Sequence, residues 1–355
     1  MDIKIVGSGL IGTSLGLALA EKGHRITVQD RNPNHEKMAN DLLGSRSGQW
    51  GNGQPDLIVI ATPVESVLEL LLEQYARYPE ARFIDISGLK SNLSLEVARI
   101  PGLNARFLGT HPMAGRELSG PESARADLFE GRAWIITPSL QTSPEFLQVV
   151  RALLEGTGAS IFELDPGLHD EQMALVSHLP QVMSTLLGVE LSDVEAEELT
   201  LAGGGLRDIS RLAASDPELW ATLLTMNSRE LLPLLESLKR SVDKLVDRLE
   251  AGDREGVKEI MALGNLGRAK IPGKHGGKVR EYHLLPIVIE DKPGQLAKIF
   301  RECEAIDVNV EDLTIEHSPG QETGLVTLAL SQSDATKLHE HLNAQGWLAH
   351  YPRSV

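Results

Sequence analysis

A short apolar strand that runs straight into a Gly-x-Gly-x-x-Gly turn and out into an apolar helix admits few folds. This chain carries that run at its start: Ile3–Val6, then Gly7-Ser8-Gly9-Leu10-Ile11-Gly12, then a helical pattern from Leu15 to Leu19. The first glycine permits the tight turn, the second lets backbone approach a pyrophosphate, and the third lets helix pack on strand. The helix start offers its unpaired N–H groups to phosphate oxygens. A second strand, Arg25–Gln29, ends at Asp30, near the spacing of about 20 residues at which an acidic side chain meets the adenine ribose. A carboxylate there favours NAD over NADP, because a 2′-phosphate would face it; Arg31 beside it could instead receive that phosphate. Thr62 and Pro63, at the carboxyl end of a third strand, complete the expected cofactor set of Gly7, Ser8, Gly9, Leu10, Ile11, Gly12, Asp30 and Arg31.

A chain of 355 residues holds two or three domains, and its net charge of −16 argues against a nucleic-acid partner, since phosphate binding needs a basic face. An anionic substrate would then need cations placed locally. The single cysteine, Cys303, rules out an internal disulfide and reads as a small core residue. No run approaches the ~18 apolar residues of a membrane span, and Met1 leads directly into the first strand, so a cytoplasmic protein without a membrane partner is expected. No metal is called for.

Strand patterns recur through the first half, at Leu57–Ala61, Phe83–Ile86, Phe107–Gly109, Trp134–Thr137 and Ile161–Leu164. Helical segments such as 65–75 and 144–154 separate several of them. That alternation predicts an α/β, doubly wound, mainly parallel sheet over residues 1–165, with ligands at the carboxyl ends of its strands. Residues 166–266 read as helix alone, an all-α domain. Its apolar-periodic stretch from Asp216 to Leu249 needs a partner surface, for which a two-fold homodimer is the commonest solution. Residues 267–281, with Pro272, Gly273, Gly276, Gly277 and the solvating charges Lys270, Lys274, Lys278 and Arg280, read as a linker. Residues 282–355 then give strand, helix, two strands, helix and a last strand, a ferredoxin-like βαββαβ unit.

Three constellations can carry chemistry beside a hydride-accepting cofactor. Gly109-Thr-His111-Pro-Met-Ala-Gly115 puts an imidazole at a strand end, where its neutral form can take a proton from a hydroxyl. Val176-Ser-His178-Leu-Pro180 puts a second histidine near the start of the helical region. Gly203-Gly-Gly-Leu-Arg207-Asp208-Ile-Ser-Arg211 joins a glycine triplet to two arginines one helical turn apart.

In this order and spacing, from Ile3 to about Leu266, these elements resemble the prephenate and arogenate dehydrogenases of tyrosine biosynthesis. The segments that carry the likeness are THPMAG with Glu117 behind it, SHLP, and GGGLRDISRLAASDPELW. The last segment resembles an ACT domain. Its Asp291-Lys-Pro293-Gly294-Gln295-Leu296 matches the turn at which that module binds amino acids, and Asn309 stands where the second strand is expected to begin. The resemblance implies NAD-dependent oxidative decarboxylation of prephenate. His111 would be the base, Arg211 the carboxylate holder and His178 a pocket wall; Trp220 would close the site, Glu117 would gate or tune it, and Arg207 would stand nearby. An aromatic amino acid would be the effector of the last domain.

Two positions depart from the family pattern. In Asp85-Ile-Ser87-Gly88-Leu-Lys90 the usual catalytic serine position is Gly88; Ser87, one residue early, is the candidate to orient His111, a task a water could take instead. Gln181 stands where many relatives carry a second histidine, which would leave that substrate contact neutral. Arogenate as substrate remains the nearest alternative. A non-catalytic sensor of dinucleotide and amino acid is a remote one, and a hydroxyacid dehydrogenase is disfavoured by the histidine loop.

Overall fold

The computed structural model describes residues 1–44, 48, 53–115, 120–271, 282–316 and 322–354. Glu117 and the linker charges Lys274, Lys278 and Arg280 lie outside them. The chain divides into two compact units, 1–246 and 247–355.

The first unit is built on a seven-stranded sheet of β1 (Asp2–Val6), β2 (Arg25–Gln29), β3 (Leu57–Ile60), β4 (Arg82–Asp85), β5 (Phe107–Pro112), β6 (Ala133–Thr137) and β7 (Ser160–Glu163). The strand order is β2-β1-β3-β4-β5-β6-β7, parallel throughout except where β6 runs against β5. Helices α1 (Leu10–Glu21), α2 (Pro33–Leu43), α3 (Val64–Arg77), α4 (Ser91–Ala98) and α5 (Pro144–Glu155) connect them. All four residues of β3, Leu-Ile-Val-Ile, are buried, as a strand covered on both faces requires. Ile3, Leu19 and Trp134 fill one apolar cluster and Ile58, Phe83 and Leu71 another; fully burying each such side chain stabilises by about 1.5–3 kcal/mol. The chain leaves β1 for β2 on one side and returns to β3 on the other. That reversal opens a crevice at the strands' carboxyl ends, and the glycine turn lies in it.

Helices α6 (Pro166–Met173), α7 (Leu179–Glu190), α8 (Gly204–Ser210), α9 (Pro217–Met226) and α10 (Ser228–Glu250) follow. Four helices of this unit start from the same local chemistry. Asn32, Ser143, Asp165 and Asp216 each accept a backbone N–H of the first turn through the side chain, and each precedes a proline at the first helical position. Each cap is worth about 1 kcal/mol, and the proline gives up only a donor the helix start does not use. Between α6 and α7 the backbone widens into a π turn, Ala174–His178. Pro180 has no N–H to return to Val176, four residues back, which accounts for the widening.

Several elements differ from the sequence reading. β5 runs on through Pro112, so His111 lies inside a strand, paired with Ile135, rather than in the loop after it. The stretch from Asp216 to Leu249 is two helices, broken at Asn227, whose buried amide is bonded elsewhere in the fold. Helices α2 and α4 have no counterpart in the sequence reading.

The second unit holds α11 (Arg254–Arg268), which extends past Leu266, then β8 (His283–Glu290), α12 (Gln295–Ala305), β9 (Asp312–Glu316), β10 (Thr323–Leu330), α13 (Gln332–Ala344), β11 (Leu348–Ala349) and β12 (Arg353–Ser354). The sheet order β11-β8-β10-β9, all antiparallel, is the ferredoxin-like arrangement. The short β12, which pairs with β8, is an addition to it. Leu285, Ile287, Ile299, Val326 and Leu338 form its core together with Cys303, whose buried thiol is pushed up to about 11. Gly294 opens α12 at φ 87°, a conformation that favours glycine. Asn309 precedes β9 by three residues instead of starting it, and bonds Glu311 at 3.0 Å.

Candidate active site

The glycine turn has the three-fold division of labour its sequence predicts. A Cβ on Gly7, at φ 108°, would stand 2.3 Å from the Ala61 carbonyl oxygen, and one on Gly12 would stand 2.2 Å from that of Gly7. A Cβ on Gly9 would meet nothing within 4 Å, so the turn is open to a ligand at that residue. Beside it, the Thr62 hydroxyl is buried without a hydrogen-bond partner among the described residues. A buried orphan donor next to an open glycine cradle fits a phosphate-bearing ligand.

Asp30 braces the turn from below: its Oδ2 accepts from Ser8 N at 2.7 Å and Ser8 Oγ at 2.8 Å, and its Oδ1 accepts from Asn32 N at 2.8 Å. Burial pushes its carboxyl up, but the bonds from Asn32 and Ser8 outweigh that and hold it below the usual range. Asp30 therefore stays ionised at the end of β2, with the exposed Arg31 beside it.

At the ends of β4 and β5, Lys90 and Asp85 form a fully buried ion pair. Ser87 Oγ lies 2.5 Å from Asp85 Oδ2, 3.2 Å from the Leu89 carbonyl and 3.2 Å from Lys90 Nζ. Its hydroxyl is thus spent within its own loop. The ring that meets His111 belongs to His169, with His111 Nδ1 and His169 Nε2 2.9 Å apart. His169 Nδ1 in turn lies 2.7 Å from Asp170 Oδ1. Neither His169 nor Asp170 was singled out by the sequence reading. Burial first, then the neighbouring His169 and Lys90, lowers the His111 pKa well below 6.5, so the ring is neutral at physiological pH.

His178 is fixed by Asn227. The Asn227 amide nitrogen donates to the Asp170 carbonyl at 2.9 Å, which settles its orientation, and it lies 3.1 Å from His178 Nδ1. A donor there makes Nδ1 the acceptor and leaves the His178 proton on Nε2. Burial lowers this imidazole as well. Trp220 packs edge-on against it, with centroids 5.9 Å apart. From the same helix, α9, Leu223 reaches Gly88, so residues of the helical region meet the loop beside His111.

Gln181 is buried with its amide turned inward: Nε2 donates to the Leu212 carbonyl at 2.8 Å, and Ser215 Oγ lies 3.4 Å from its Oε1. It ties α7 to the turn that carries Arg211, a structural task at a position read as a substrate contact. Arg207 and Arg211 are exposed on α8 and just after it, behind a glycine triplet around which a Cβ would meet nothing within 4 Å. A cleft of 790 Å³ between α3, α4, α6 and the α9–α10 junction is lined by Glu65, Ser91, Asp170, Asn227 and Arg229 among others, and not by His111, His178 or Arg211. It touches the back of this network rather than its reactive side.

The family model for the prephenate dehydrogenase nucleotide-binding domain matches residues 15–163, and that for the prephenate dehydrogenase dimerization domain matches 165–263. Probable prephenate dehydrogenase NovF of Streptomyces niveus is 28% identical over 356 aligned positions, which span 97% of this chain and 98% of that protein. Prephenate dehydrogenase from A. aeolicus, solved in complex with hydroxyphenyl propionate and NAD+, superposes with a TM-score of 0.69 at 28% identity, over 77% of this chain and 98% of that one. Synechocystis arogenate dehydrogenase superposes with a TM-score of 0.63 at 28% identity, over 76% and 99% of the two chains.

Proposed function

The chain belongs to the prephenate dehydrogenase family, and on that premise we propose that His111 is the base of an NAD-dependent oxidative decarboxylation of prephenate to 4-hydroxyphenylpyruvate. The observation that carries this reading is an imidazole buried in β5 at the carboxyl edge of the same sheet whose β1 ends in a turn shaped for a dinucleotide. Gly7, Gly9 and Gly12 would take the pyrophosphate, Ser8, Leu10 and Ile11 the turn between, Asp30 the ribose, and Thr62 and Pro63 the inner wall. Bound there, NAD supplies the hydride acceptor.

His111 Nε2 accepts the ring hydroxyl proton as the carbinol carbon gives up its hydride. The ring carboxylate leaves as carbon dioxide, and its bonding pair closes the aromatic ring. The phenolic oxygen then recovers the proton from Nε2, so atoms and charge balance. His178 offers its Nε2–H, and Arg211, supported by Arg207, offers charge to the substrate's carboxylates, with Trp220 closing the wall. Aromatisation drives the step, and the protein's share is orientation and proton transfer.

Exposed apolar side chains on α7 and α10, including Leu186, Val189, Val242 and Val246, support a homodimer formed through the helical region. The ferredoxin-like unit reads as an ACT-type module, with Asp291, Pro293, Gly294, Gln295, Leu296 and Asn309 about an amino-acid site. No described helix is long and apolar enough to cross a membrane, in keeping with a cytoplasmic enzyme. The deciding experiment is a four-way assay of prephenate or arogenate with NAD or NADP, followed by reduced-nicotinamide absorbance. Turnover of prephenate with NAD is expected; turnover of arogenate alone would transfer the reading to that substrate.

A further inference from the structure

His111 can act as a base only if the nitrogen facing the substrate carries the lone pair, and the chain must fix which nitrogen that is. Asp170 decides it. Its Oδ1 accepts from Lys90 N at 2.9 Å and its Oδ2 from Ser91 N at 2.8 Å. Both are obligatory donors, so the carboxylate acts there as an acceptor. Burial alone would raise its pKa, but the bonds from His169, Ser91 and Lys90 hold it below the ordinary carboxylate range. The His169 Nδ1 facing the carboxylate at 2.7 Å must then carry a proton. In a neutral ring that leaves a lone pair on His169 Nε2, 2.9 Å from His111 Nδ1. The proton of His111 therefore sits on Nδ1, and Nε2 is left bare on the side of Gly88.

We propose that Asp170 and His169 are positioning residues which lock His111 in the Nδ1–H tautomer and stabilise the imidazolium it becomes on accepting the substrate proton. This rests on the reading of His111 as the base. Once Nε2 is protonated, the Nδ1–H bond to His169 becomes charge-assisted, and the Asp170 carboxylate lies at the far end of the chain to balance the charge. The arrangement extends the Asp–His pairing of hydrolytic triads by one ring, and its members come from different parts of the fold. The base sits on β5 of the sheet, while its orienting pair are consecutive residues of α6, 58 positions away from His111. Asp170 at the same time closes the start of α4 through Lys90 N and Ser91 N, so the loop over the site and the base's tautomer share one anchor.

Asp170→Asn tests it. The oxygen that faces His169 also accepts from Lys90 N, so the amide keeps its oxygen there and turns its nitrogen toward Ser91 N; the tautomer is kept, but the negative charge that balances the imidazolium is lost. The full-length variant is expected to lose about 100-fold or more in kcat, within the range seen when the aspartate of such a pairing becomes asparagine. The KM values for prephenate and NAD should stay within about threefold, as for an interaction made only in the transition state. Histidine-labelled nitrogen NMR, with the His111 signals assigned by their loss in His111→Asn, should show a protonated Nδ1 and a bare Nε2 in the native chain and in Asp170→Asn, and both tautomers in His169→Phe. If that variant fails to fold, His169→Phe, which keeps a flat ring without a lone pair, should lose kcat similarly and release the tautomer preference. A native His111 protonated on Nε2, or a kcat within threefold in the variants, overturns the proposal. Should His111→Asn keep its kcat while the native tautomer is as stated, the base assignment fails and the relay stands.

Discussion

Gly88 faces Nε2 of His111: a Cβ there would lie 3.9 Å from that nitrogen and 3.4 Å from Cδ2 of Leu223. With His111 as the proposed base, that gap is where a substrate hydroxyl would meet it. Gly88→Val would put two further methyl groups into it, an overpacking that costs about 1–3 kcal/mol. At about 2 kcal/mol, kcat/KM for prephenate should fall roughly 30-fold. Steady-state kinetics beside a melting curve checks this. A full-rate Gly88→Val enzyme would mean the hydroxyl approaches His111 from another side.

Gly9 and Gly12 separate cofactor binding from folding. Gly9 has φ −66°, which alanine adopts freely, and its Cβ would enter open space. Gly9→Ala should therefore melt within a degree or two of the parent, while its NAD dissociation constant rises about tenfold or more, some 1.4 kcal/mol. Gly12→Ala instead drives a Cβ to 2.2 Å from the Gly7 carbonyl and should lose both stability and binding. Calorimetric titration with NAD distinguishes them. Unchanged NAD affinity in Gly9→Ala would place the pyrophosphate elsewhere.

Much of this fold was legible because its signals are local. The four-residue apolar run of β3, the apolar periods of 144–154 and of the stretch that opens at Asp216, and the spacing of three glycines each act within a few positions. The site was legible only in part. His111 and His178 stand in distinctive stretches, whereas His169 and Asp170 sit in an unremarkable helical turn, and only tertiary packing brings them to β5. Asn227 was hidden for the same reason: it interrupts a sound apolar period because its amide is needed at Asp170 and His178. Gln181 shows the converse: its place after SHLP was legible, whereas the bond of its amide to the backbone of Leu212 is set by tertiary packing.

Acid should weaken the fold before it stops the reaction. His111 and His178 are both held below the ordinary histidine value of 6.5, by burial first. The unfolded chain takes up protons at about pH 6.5 that the folded chain refuses, so the stability these residues contribute is complete above that pH and declines below it. On the proposed reading kcat needs His111 neutral, so its acid limb should lie well below 6.5. Between about pH 6.5 and 5.5 the melting temperature should drop while kcat holds, and His111→Asn should show the shallower melting slope. A kcat that already halves at pH 6.5 would contradict the depressed imidazole.

Arg211 tests whether the substrate's charge is met where the helical region presents it. The turn that begins at Arg211 is pinned to α7 twice, by Gln181 Nε2 to the Leu212 carbonyl at 2.8 Å and by Ala213 N to Ser184 Oγ at 2.9 Å. The backbone that carries Arg211 is thus held against α7. The guanidinium is exposed in the single chain, where an ion pair is worth at most about 1 kcal/mol. Arg211→Ala should nevertheless raise the KM for prephenate about tenfold or more, some 1.4 kcal/mol, because a closed site desolvates the pair. Gln181→Ala should show a smaller rise in the same direction, since it loosens the turn without removing the charge. A KM unmoved by Arg211→Ala, measured at low salt where an exposed pair is strongest, would assign the carboxylate to another cation, with Arg207 the first to examine.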